Sequence, residues 1–85
     1  FLSFASGARL ELMRVPDLPP GGGPAPRTGL AHLAISVGGA AEVDRLTSEI
    51  AAEGHEVQSA PRTTGDGYYE SVVLDPDGNV VEITA

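Results

Sequence analysis

Three side chains in this sequence have the chemistry of metal ligands and sit where a β-strand would place them off its most apolar face: Glu11 in "ARLELM", His32 in "GLAHLAISV" and Glu82 in "NVVEITA". In an extended strand, alternate residues share a face. Leu10 and Leu12 then lie opposite Arg9, Glu11 and Met13. Leu33, Ile35 and Val37 lie opposite His32, Ala34 and Ser36, and Val81 and Ile83 lie opposite Val80, Glu82 and Thr84. One imidazole and two carboxylates suit Zn, Ni, Mn, Co or Fe(II), and such a set leaves coordination positions for water or substrate. Spacing alone does not show that the three converge. A histidine on a sheet face also serves as a hydrogen-bonded filler, and a glutamate in a last strand as a solvated residue.

The elements that would carry these residues can be read along the chain. "FLSFASGARLELM" predicts two short strands joined at Ala5-Ser6-Gly7. Residues 16 to 26, "PDLPPGGGPAP", are too rich in proline and glycine for helix or strand and read as a connection. A strand over Leu30 to Val37 follows, then a Gly38-Gly39 break. A helix is expected from about Ala40 to Glu53, with Val43, Leu46 and Ile50 at helical spacing and Gly54 as its stop. "HEVQSA" reads as a strand and "RTTGDG" as a polar loop. Two β-rich runs then flank Asp75-Pro76-Asp77-Gly78-Asn79, a hairpin turn in which Pro presets φ and Gly or Asn accepts positive φ. The second part is therefore β-α-β-β-β, an α+β arrangement with one sheet face left for a companion.

Composition narrows the function classes. The 85 residues suit one domain with one modest core. A net charge of −7, with no lysine among the five basic residues, argues against nucleic acid or an anionic membrane as partner. No apolar run is long enough for a membrane-spanning helix. The lack of cysteine removes disulfides and thiolate metal sites and fits a cytoplasmic setting.

"GLAHLAISV", a helix, "GHEV" and "GDGYYESVVLDPDGNVVEI", in this order and spacing, closely resemble the second βαβββ module of the vicinal oxygen chelate superfamily. That superfamily includes glyoxalase I, methylmalonyl-CoA epimerase, fosfomycin-resistance transferases, extradiol dioxygenases and bleomycin-resistance proteins. "SGARLELM" resembles the end of the preceding module. The resemblance implies a hairpin from that module over residues 1–14, a connection over 15–28 and a βαβββ module over 29–85, together a fragment of a longer chain. It implies a metal on a concave sheet face, with His32 and Glu82 as ligands and Glu11 as the matching acid of the preceding module. It also implies that a fourth ligand lies upstream or on another copy.

The acid at position 11 leans toward the glyoxalase I or epimerase pattern. That implies a metal-dependent lyase or isomerase in which Glu82, or alternatively Glu11, moves a proton. Partners implied are a small-molecule substrate and a second copy in a homodimer. The other readings are a metal-free ligand-sequestering module of the bleomycin-resistance type and a dioxygenase-like member. His55, at the helix end, is read as no substitute ligand. Tyr68, Tyr69 and Arg62 are read as strand or loop residues that could meet substrate, and Asp75 and Asp77 as turn formers.

Overall fold

The computed structural model describes residues 1–21, 25 and 27–85. The expected connection over 15–28 includes residues 22–24 and 26, which lie outside the described residues. Two short strands, β1 (Leu2–Ser3) and β2 (Arg9–Leu10), pair antiparallel as a hairpin, with Leu2 opposite Leu10. Gly7 closes the turn at φ 92°, a left-handed conformation that favours glycine. The second part is β3 (Leu33–Ser36), α1 (Ala40–Ala52), β4 (Val57–Thr63), β5 (Tyr69–Leu74) and β6 (Val80–Thr84). These four strands form a mixed sheet in the order β3-β6-β5-β4, so the fold is α+β.

β3 and β6 are parallel, with Ala34 opposite Glu82 and Ile35 opposite Ile83. The β5–β6 and β4–β5 pairs are antiparallel. A parallel pair needs a long crossover, and α1 with the β4–β5 hairpin supplies it. The helix packs on β4, β5 and β6. Its buried stripe is Val43 and Thr47, flanked by Leu46 and Ile50, and it meets Val73, Val81 and Ile83. The end of the helix is a Schellman cap. The Gly54 N–H donates to Ala51 O at 3.0 Å and the His55 N–H to Ile50 O at 3.2 Å, with Gly54 at φ 90°.

Several boundaries differ from the sequence reading. β3 starts at Leu33 and not at Leu30, so His32 directly precedes the strand. β4 runs to Thr63, so Arg62 and Thr63 belong to a strand although the polar composition predicts a loop. Pro61 is tolerated inside β4 because this is an edge strand with irregular register, where a missing N–H breaks no ladder. The loop beyond is closed by Thr64, whose N–H donates to Tyr68 O at 2.7 Å.

The turn over residues 75–79 forms as expected. Asp75 Oδ1 accepts from the N–H groups of Asp77 (2.9 Å) and Asn79 (2.8 Å), and Oδ2 accepts from the Asn79 amide at 2.8 Å. Burial by itself pushes the Asp75 carboxyl up. The bonds from the Asn79 side chain and from the Asn79, Asp77 and Gly78 N–H groups together outweigh it and hold the carboxyl below its ordinary range.

Two polar side chains lie in the core. Thr47 Oγ1 donates to Val43 O at 2.6 Å and lies 2.7 Å from Ser71 Oγ. A threonine hydroxyl has one proton, so Ser71 is the donor of the second bond. Both residues are buried, and the small Ser71 lets the helix approach the centre of the sheet.

Two predictions follow from these bonds. Thr47→Val strips the buried Ser71 hydroxyl of its acceptor and should cost about 1–3 kcal/mol in chemical denaturation, whereas Thr47→Val with Ser71→Ala should cost less than the sum of the single changes. A carboxyl lowered by folding stabilises above its unfolded value and loses that contribution as pH falls through the lowered one. Asp75→Asn should therefore lessen the fall in melting temperature that the protein shows on acidification below about pH 4.

Candidate metal centre on the open sheet face

The helix covers one face of the sheet and leaves the other open. On β6 the open-face residues are Val80, Glu82 and Thr84. On β5 they include Glu70 and Val72, with Val72 opposite Glu82. The parallel register of β3 puts His32 two positions before Ala34, diagonal to Glu82 on the same face. His32 Nε2 lies 3.1 Å from Glu82 Oε2, with the imidazole 43% and the carboxylate 17% exposed.

That contact is close but is not an aligned hydrogen bond. Glu82 Oε2 is buried and has no hydrogen-bond partner among the described residues. A buried carboxylate oxygen without a donor is costly. An imidazole nitrogen and a carboxylate oxygen side by side are donor types that suit a borderline divalent cation. His32 and Glu82 thus fit two ligands of a metal.

Glu11 is placed differently. It follows the end of β2, is exposed, and belongs to the separate hairpin. No group of three or more metal-capable side chains forms among the described residues. Its neighbours Leu10 and Leu12 do approach the site, because they line, with Leu30, Val80, Arg27 and His32, a largely apolar cavity of 690 Å³.

Glu70 is a member of this face that the sequence reading did not single out. Its carboxyl is pushed up from its ordinary value, first by burial and then by contact with the carboxylate of Glu82, while the charge of Arg62 opposes the shift. The alternation of "YYESVVL" already places Glu70 with Val72, but only the pairing of β5 with β6 reveals that Glu82 is its neighbour. Arg62, opposite Glu70 on β4, completes the row.

The remaining candidates lie elsewhere. Tyr69 is on the helix side and its hydroxyl donates to Asp44. Tyr68, which directly precedes β5, is 60% exposed. His55 is held in the helix cap, 4.0 Å from Glu53.

Residues 1–83 match the family model described as Glyoxalase/Bleomycin resistance protein/Dioxygenase superfamily. The chain belongs to this superfamily. Among solved structures, it is similar to a glyoxalase-related enzyme from Fulvimarina pelagi, at 30% identity and a TM-score of 0.60 over 66% of this chain and 40% of that one. It is also similar to a glyoxalase/bleomycin resistance protein/dioxygenase family enzyme from Burkholderia phytofirmans PsJN, at 31% identity and a TM-score of 0.59 over 71% and 48%. A hypothetical protein of S. aureus shares the fold, at 23% identity and a TM-score of 0.61 over 71% and 44%. The chain thus spans less than half of each of these structures. Comparison with curated proteins yields no match. No helix among the described residues is long and apolar enough to cross a membrane.

The glutamate pair on the open face carries its own signature. A carboxyl whose value is raised by folding binds its proton more tightly in the native state, so the stability it contributes is full below the unfolded value and falls as pH rises through the raised one. Melting temperatures measured between about pH 4 and pH 7 should show that decline in the wild type. Glu70→Gln should remove it.

Proposed function

We propose that this chain carries part of a divalent-metal centre, with His32 and Glu82 as ligands, and that it acts as a glyoxalase-like lyase or isomerase on a small molecule. The observation that supports the reading is the buried Glu82 Oε2, without a hydrogen bond among the described residues and 3.1 Å from His32 Nε2. Zn, Ni, Mn, Co and Fe(II) all match this donor set. Such an ion, when bound, supplies Lewis acidity toward neighbouring substrate oxygens and makes an adjacent C–H more acidic.

The protein's own part is then positional. His32 fixes one side of the site from the start of β3. Glu82 is the candidate base that takes a proton from substrate carbon and returns it to the same carbon, for epimerisation, or to its neighbour, for isomerisation. Glu11 is the candidate for a further ligand or alternative base, and it can serve only if β2 approaches the open face more closely. The apolar cavity beside His32 accommodates the uncharged part of a substrate. The same cavity favours a second reading, a ligand-sequestering member that works without metal. A homodimer and a cytoplasmic setting complete the proposal, since the open face and the β3 edge both call for a companion.

Metal content of protein purified without chelator tests the reading. Uptake of about one divalent ion per site, reduced at least about tenfold by His32→Ala with Glu82→Gln, is the expected result. A wild type that takes up none of the five metals, or a double variant that takes up as much, overturns it and leaves the sequestering reading.

A further inference from the structure

The open face carries one ionisable side chain from each strand or its flank, in strand order: His32 at β3, Glu82 on β6, Glu70 on β5 and Arg62 on β4. Arg62 faces Glu70 through two register shifts in β4: the one between Val57 and Ser59 moves Ser59 onto the open face, and the one between Ser59 and Arg62 keeps Arg62 on it. Ser59 pairs with Val72, an open-face residue. Unbroken alternation from that pair would set Pro61 opposite Glu70 and turn Arg62 to the helix side. One extra residue between Ser59 and Arg62 shifts the register, so that Arg62 pairs with Glu70. Bulges of this kind re-aim side chains near functional sites.

The guanidinium so placed is sparingly used. Its one hydrogen bond among the described residues is from Nη1 to Glu70 O, at 3.4 Å. No carboxylate lies within ion-pair distance of it among those residues, although the chain has twelve acidic residues to five basic ones. Arg45, by contrast, is paired with both Glu42 and Glu49 at 2.9 and 2.8 Å. Arg62 therefore keeps most of its five donors for a ligand. The two carboxylates between Arg62 and His32 repel an anion, so an anionic ligand has one favourable end of the row to approach.

We propose that Arg62 is a specificity-determining residue that binds a substrate carboxylate, and that the substrate is a small anion carrying this carboxylate beyond the oxygens that meet the His32–Glu82 end. Two strand spacings separate β4 from β6, about 10 Å between backbones, and the arginine side chain spans much of that distance, so one small molecule bridges both ends. The planar fork of the guanidinium suits a carboxylate held by two parallel bonds. The inference rests on the proposed metal reading for the far end of the substrate, and on the sheet register for the near end.

The test compares 2-oxoglutarate with 2-oxopentanoate, which has the same vicinal oxygens but no distal carboxylate, by calorimetric titration of zinc-loaded protein. Wild type should bind 2-oxoglutarate at least about tenfold more tightly. Arg62→Gln should abolish that preference and Arg62→Lys should retain part of it, with the zinc content of all three unchanged. A wild type without preference, or an Arg62→Gln variant that keeps it, overturns the role of Arg62. A wild type that takes up no zinc is loaded with Ni, Mn, Co or Fe(II) instead; uptake of none of the five overturns the metal reading, and the same preference is then read on the metal-free protein, where its presence or absence decides for or against Arg62.

Discussion

β3 and β6 run side by side in the same direction, although a helix and a two-stranded hairpin intervene between them in sequence. Their register sets Ala34 against Glu82 and Ile35 against Ile83. Everything on the open face follows from this pairing. A shift of one residue would turn either His32 or Glu82 toward the helix, because side chains alternate at every step. The register is held from the other side, where Ile83 and Val81 must meet the helix stripe led by Val43. The core thus specifies the site without touching it.

The sheet is consequently two-faced in its energetics. On its helix side the hydroxyls of Thr47 and Ser71 close on each other and on Val43 O, and the Tyr69 hydroxyl donates to Asp44. Its open side holds a carboxylate oxygen without a hydrogen-bond partner among the described residues, a second carboxyl raised by burial and by its neighbour, and an arginine with donors to spare. Buried polar groups are normally paired. The contrast between the satisfied face and the unsatisfied one is the observation on which the proposed site rests.

Local signals in the chain were strong wherever a few adjacent residues decide the outcome. Gly54 ends the helix because its backbone adopts φ 90°. Asp75, Gly78 and Asn79 close the last hairpin through bonds within five residues. The period of Val43, Leu46 and Ile50 marks the helix, and the alternation of "NVVEITA" puts Glu82 opposite the core. His32 and Glu82 were therefore readable as candidates from their types and faces. Arg62 was readable only as a loop residue that could meet substrate, because a proline and a polar run hide the edge strand, and Glu70 was not singled out, because its meaning depends on a neighbour twelve positions away.

By itself the sequence determined the element types, the turn chemistry and which residues turn away from the core, since these rest on backbone preferences and periodicity over short windows. Only the tertiary structure decided which strands are neighbours. It brought His32 to 3.1 Å from Glu82, set Glu70 beside that carboxylate, and left Glu11 on a separate hairpin. The two register shifts in β4 that set Arg62 opposite Glu70 were decided there too. The physical reason is common to all four: strand order and register are fixed by contacts between segments far apart in sequence, and no local propensity carries that information.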